Sequence, residues 1–139
     1  MIVLDTNVIS EMMRDRPDAA VLARLDQFPV ESVWTTSISV FEIRHGFQIL
    51  AAGRARKRLE TAFSAIVDDD LEGRVLPLDF DAATKAGIIA ADCRLAGRSI
   101  EIRDALISGI AAARKAAIVT RNVKHFANTG VPLINPWSD

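Results

Sequence analysis

Three acidic residues stand where carboxylates can do chemistry. Asp5 follows the apolar run Ile2 to Leu4, Glu42 comes three residues after Ser39, and Asp104 separates Ile100-Glu-Ile-Arg103 from the apolar Ala105-Leu-Ile-Ser-Gly-Ile-Ala111. Carboxylates gathered at one point repel and raise one another's pKa values, whereas Mg²⁺ or Mn²⁺ accepts hard oxygens from one or two carboxylates plus water. A cluster without His or Cys therefore points to a divalent cation rather than zinc. Each acid also has a purely structural reading. Asp5 or Asn7 can cap a first helix. Ser39-x-x-Glu42 has the spacing of a capping box. Asp104 can be a cap or a first-turn acid favoured by the helix dipole.

The elements around these residues place them together. Ile2 to Leu4 reads as a buried strand, and Val33 to Thr36 as a second. Between them Asp15-Arg-Pro-Asp18 reads as a helix entry with Pro17 near the first turn, and Val21, Leu22, Leu25 and Phe28 are spaced to face a core. Ser39 to Glu42 opens a long helical stretch through Phe47, Ile49 and Leu50 toward Gly53. Arg74 to Leu78 reads as a strand, Ala82 to Ala96 as a helix closed by Gly97, and Ala105 to Lys115 as another helix. Ala116 to Thr120 and Pro132 to Ile134 are the last strands. This alternation predicts an α/β domain with a mainly parallel sheet, whose functional site lies beyond the carboxyl ends of its strands. Asp5, the Ser39 to Glu42 turn and the residues after Thr120 all fall there, with the three acids expected at helix starts.

With 139 residues, 50% of them hydrophobic and 25% charged, the chain reads as one soluble globular domain, residues 1–139. Such a domain buries roughly 70% of its unfolded surface and needs no disulfide staple. The single Cys93 shares an apolar stripe with Ala86, Ile89 and Ala90 and reads as an inert buried thiol. The first residues lack a secretory signal, and no apolar run approaches a membrane span, so a cytoplasmic location is expected. Seventeen Lys and Arg against eighteen Asp and Glu give a net charge of -1, which excludes a polybasic mode of nucleic-acid binding. The charges are unevenly spread. From Arg44 to Leu59 there are five bases and no acid, and from Glu60 to Asp81 seven acids face Arg74 alone. Setting aside the three proposed site acids leaves fifteen acids against seventeen bases.

Four segments carry a family resemblance: Met1-Ile-Val-Leu-Asp-Thr-Asn-Val-Ile-Ser10, Ser37-Ile-Ser-Val-Phe-Glu-Ile-Arg-His-Gly46, Ile102-Arg-Asp-Ala-Leu-Ile-Ser-Gly109 and Ala117-Ile-Val-Thr-Arg-Asn122. In order and spacing they resemble the PIN-domain ribonucleases, and more narrowly the VapC-type toxins of bacterial toxin-antitoxin pairs, near the FitB-like subgroup. The resemblance runs through nearly the whole chain to Asn135-Pro-Trp137. It implies a single PIN domain, a parallel sheet flanked by helices, with an acidic pocket for Mg²⁺ or Mn²⁺. Asp5, Glu42 and Asp104 match the family's first three acids, and Asn122 stands where a fourth is often found. On this resemblance Asp5 and Asp104 hold the cation and Glu42 holds or deprotonates a water. Thr6 and Asn122 orient ligands, and cleavage leaves a 5'-phosphate and a 3'-hydroxyl. RNA is the implied substrate, with Arg44, Arg121 and Lys124 as candidate contacts that also read as solvated charges. Trp34 and Trp137 can stack on bases but read better as packing residues. A small VapB-like antitoxin is the implied inhibitor and a homodimer the implied assembly; Ser108-Gly109 allows close helix approach but suits core packing equally.

Rival readings fare worse. A haloacid-dehalogenase-like phosphotransferase needs a second Asp two positions after the first, where this chain has Asn7. A response-regulator receiver needs an acidic pair ahead of its phosphorylated Asp. A PIN-fold binding module without cleavage, acting as an antitoxin partner in a DNA-binding complex, is favoured only by Asn122.

Overall fold

The structure, a computed structural model, describes residues 1–138. Five strands form one sheet in the order β3-β2-β1-β4-β5: β1 (Ile2–Leu4), β2 (Val33–Thr36), β3 (Val75–Leu76), β4 (Ala117–Val119) and β5 (Leu133–Ile134). Every neighbouring pair is parallel, with Ile2 in register with both Val33 and Ala117. The alternation of strands and helices predicts this α/β architecture, and the sheet bears it out.

Strand alternation sorts the core into two halves. Ile2 and Leu4 face a cluster with Val8, Ile9, Val21, Ile43, Phe47 and Phe63. Those residues come from α1 (Thr6–Met12), α2 (Ala19–Leu25), α3 (Ser37–Ile49) and α4 (Arg54–Ala65). Val3 and Ile118 face the other way, onto Ile107, Ile110, Ala111 and Phe126 of α6 (Ile102–Ala113) and α7 (Val123–Phe126), with Ala82 of α5 (Phe80–Leu95). Trp34 packs against this second cluster. Helices therefore cover both faces, which is why β1, β4 and β5 are apolar throughout rather than alternating. Among the described residues no helix is long and apolar enough to cross a membrane.

Several expected boundaries shift for local reasons. The helix entry over Asp15 to Asp18 is as expected, with Pro17 just ahead of the first turn of α2 and Asp18 as the cap whose carboxylate accepts the N–H groups of Ala20 and Val21. Val21 and Leu25 are buried, while Leu22 and Phe28 are partly covered. The expected stretch to Gly53 ends at Ile49. The acid-free run after it begins α4, and a π-helical turn, Ile66–Asp70, follows. The strand expected over Arg74 to Leu78 shrinks to two residues, since Pro77 has no N–H to continue the ladder. The helix containing Asp104 starts earlier than Ala105, at Ile102, so Asp104 lies in its first turn rather than at its cap. Gly97, at φ +74°, closes α5 as expected. Cys93 is buried.

The chain leaves β1 for β2 and β3 on one side, then returns to β4 and β5 on the other. The order reverses beside β1, so a crevice opens beyond the carboxyl ends of β1 and β4.

Candidate active site

A cleft of about 510 Å³ occupies this crevice, lined by Asp5, Thr6, Asn7, Ser10, Glu11, Arg14, Glu42, Arg103, Asp104, Arg121, Asn122, His125 and Trp137. The tertiary structure thus brings together all three acids chosen from the sequence, with Thr6, Asn122 and Arg121.

Asp5 is both the cap of α1 and a wall of the cleft, so its two readings are one. Its backbone N–H donates to the Val119 carbonyl at 2.9 Å, which locks it between β1 and β4. Oδ1 accepts the Thr6 N–H at 2.8 Å, while Oδ2 accepts the Thr120 hydroxyl at 2.8 Å and the Asn7 amide at 3.3 Å. The Thr120 oxygen in turn accepts the Asn122 N–H at 3.0 Å, and Asn7 Oδ1 accepts the Arg121 N–H at 3.1 Å. Asp5 is therefore aimed by a network across the β1–β4 junction. Burial raises its pKa above the ordinary 3.8 despite these donors.

Glu42 overturns the capping-box reading. Thr36 caps α3, its hydroxyl accepting the Ser39 N–H at 3.1 Å, which leaves Glu42 in the second turn and not at the helix start. The Glu42 carboxylate instead accepts the Thr6 hydroxyl on Oε1 at 2.8 Å and Arg103 Nη1 on Oε2 at 2.9 Å. Arg103 also reaches Glu101 at 3.0 Å. Of the three acids, Glu42 is the one already paired with a cation.

Asp104 carries the strongest perturbation. Desolvation and the nearby Asp5 charge push its pKa up to about 6, against weaker pulls from His125 and Arg103. His125 Nδ1 stands 3.8 Å from its Oδ2. Among the described residues no three Asp, Glu, His or Cys side chains form a ready cage for an ion. Asp5 and Asp104, both under-compensated and 7% exposed, nevertheless fit the one or two carboxylates that Mg²⁺ requires alongside water.

The cationic candidates separate. Arg121 lines the cleft, its guanidinium 5.0 Å from the ring centroid of Trp137. Trp137 also packs against the first core cluster. Arg44 does not line the cleft; it lies over the rings of Phe47 and Phe63, the latter at 5.0 Å. Lys124 is exposed on α7 outside the cleft lining. Sequence reasoning missed Thr120, Arg103 and His125. Thr120 had a signal, since it ends an apolar strand at the sheet edge where sites form; Arg103 and His125 had none beyond proximity to Asp104 and Asn122.

A nuclease-like acidic cleft on this parallel sheet defines a class, and the PIN domain model matches residues 2–131. The chain belongs to the PIN-domain family. It is 38% identical over 137 residues to VapC ribonuclease Y4jK of Sinorhizobium fredii, covering 99% of this chain and 98% of that protein. Toxin FitB of Neisseria gonorrhoeae is 33% identical over 139 residues, with both chains covered fully. The solved structure of FitAB bound to an IR36 DNA fragment superimposes with a TM-score of 0.90 at 32% identity, covering 100% of this chain and 97% of that chain.

Proposed function

We propose that this protein is a divalent-metal-dependent endoribonuclease, the toxin of a toxin-antitoxin pair acting in the cytoplasm. The single observation that carries the catalytic reading is the convergence of Asp5, Glu42 and Asp104 on one cleft from the cap of α1, the second turn of α3 and the first turn of α6. The names of its relatives, a ribonuclease and a toxin among them, support the biological role.

Asp5 and Asp104 would hold Mg²⁺ or Mn²⁺. Such a cation, when bound, neutralises charge developing on a phosphate and makes a water easier to deprotonate. Asp5 enters the reaction already oriented by Thr6 and Thr120, so little reorganisation is needed at the moment of cleavage. Glu42 presents its carboxylate toward the cleft with Thr6 and Arg103 fixing its two oxygens, and it accepts a proton from the attacking water. The water oxygen joins phosphorus as the bond to the 3'-oxygen breaks, leaving a 5'-phosphate and a 3'-hydroxyl. Arg121 and Trp137 form a charged and aromatic wall suited to a phosphate and an unstacked base. Asn122 adds an uncharged amide where a fourth acid would repel the substrate.

A VapB-like antitoxin is the proposed inhibitor, in keeping with the neighbours solved as FitAB complexes, and a homodimer is the proposed assembly. The test is incubation of the purified protein with labelled RNA and Mg²⁺ or Mn²⁺, beside EDTA and Asp5→Asn controls. Cleavage should vanish in both controls; cleavage surviving both would overturn the site. Asn122 favours one other reading, an antitoxin-binding module without cleavage, and an inactive wild type that still binds antitoxin tightly would establish it.

A further inference from the structure

The acid-free run that the sequence places after Arg44 is not used by the cleft. Its cations begin α4, with Arg54 and Lys57 exposed in the first turn. Two hollows connect them to the active site. Arg14 lines the acidic cleft and also a shallow hollow with Asp15, Arg16 and Arg58. Arg58 lines that hollow and a further one with Arg54 and Lys57. The cleft and the two hollows are therefore adjacent, sharing Arg14 and Arg58 as walls, and beyond the cleft Asp15 is the one acid among the described residues lining them.

Two of the cations, Arg14 and Arg58, are also held in place. Glu11, buried, takes Arg14 Nη1 on both oxygens, at 3.3 and 3.2 Å, and leaves the guanidinium two-thirds exposed at the cleft rim. Arg58 donates to the Met13 carbonyl at 3.3 Å and pairs with Asp15 at 3.0 Å, which ties the start of α4 to the end of α1. A series of cations, two of them anchored, leading away from a phosphate-cutting site matches a chain of regularly spaced negative charges better than a single anion.

We propose that Arg14, Arg16, Arg58, Arg54 and Lys57 form a lane that carries the sugar-phosphate backbone of a long RNA away from the cleft, so that substrate length as well as local shape determines binding. This rests on the ribonuclease reading above.

The test is fluorescence anisotropy with a labelled single-stranded RNA of about 20 nucleotides, longer than the roughly 4 to 16 that a single-strand groove covers. It is run in EDTA so that the RNA survives. The variant is Arg54→Ala with Lys57→Ala, two exposed positions where alanine favours the helix and the Arg58 ties remain. Arg94→Ala with Arg98→Ala removes the same charge from the end of α5, off the lane. The lane pair should weaken binding about tenfold and reduce the slope of log K against log salt by about 1.4, while the α5 pair changes neither. Equal losses from both pairs, no loss from the lane pair, or no RNA binding by wild type would each overturn the lane. An equal loss of affinity for polyglutamate would overturn it too, by showing an indiscriminate anion surface. Lane failure beside intact metal-dependent cleavage leaves the ribonuclease reading standing, whereas cleavage insensitive to EDTA and Asp5→Asn overturns the metal site and not the lane.

Discussion

The two faces of the sheet edge follow opposite rules. Where α5 meets α6, small residues close the gap until backbone touches side chain: a Cβ on Gly109 would lie 2.4 Å from the Ala82 carbonyl oxygen and 2.5 Å from the Ala86 Cβ. Around Asp5 and Asp104 the chain instead buries carboxylates whose pKa values are raised first by desolvation, with the Glu42 charge adding to the shift of Asp5 and the Asp5 charge to that of Asp104. The seam is arranged for stability, and the cleft accepts electrostatic conflict that a bound cation would relieve. The contrast teaches which substitutions harm folding and which harm chemistry.

The largest expected effect is catalytic. Asp104→Asn should lower RNA cleavage by about a thousandfold, equivalent to about 4 kcal/mol of barrier, while urea unfolding shows equal or greater stability because a desolvated charge is gone. Lost cleavage together with marked destabilisation would make Asp104 a folding residue like those of the seam. Next comes Gly109→Ala, which should cost about 3 kcal/mol in urea unfolding, since Ala82 and Ala86 cannot yield without moving α5. A cost under about 1 kcal/mol would show the seam to be soft.

The cleft's conflict should also be visible as a pH dependence in EDTA. Asp104 releases its proton near pH 3.8 when unfolded but near pH 6 when folded, so the native state binds more protons between these values. Stability from the protonated form is complete below about pH 3.8 and lost as pH rises through about 6, with Asp5 pushing the same way. Asp104→Asn should flatten the decline; a variant as steep as wild type would place its origin elsewhere. The smallest effect belongs to Glu42→Gln, expected to cost no more than about 1 kcal/mol of stability because Arg103 is half exposed and the amide oxygen still accepts from Thr6. Cleavage by that variant should fall sharply. Large destabilisation with retained cleavage would return Glu42 to a structural role.

Much of this division was legible in the residues. Apolar runs ending in Asp5, in Thr36 and in Thr120 announced strands, because a buried parallel strand is apolar on both faces and its polar residues gather at the ends. Boundaries were harder: α3 stops where Leu50 turns to extended backbone and α4 restarts after Gly53, a break that no local periodicity records. Glu42 shows the same limit. Its distance from Ser39 fits a capping box perfectly well, and only the Thr36 hydroxyl, reaching the Ser39 N–H first, releases the glutamate for the cleft.

By itself the sequence determined the α/β class and pointed to the carboxyl edge and to three acids that line one cleft there, since each follows from local pattern or matches a family motif. The tertiary structure alone decided that Asp5 and Asp104 conflict, that Arg103 holds Glu42, that Thr120 aims Asp5 and that Arg44 faces phenylalanines rather than the cleft. Those are relations between residues up to 115 positions apart, and their energies depend on distance and burial, quantities that exist only once the chain has folded.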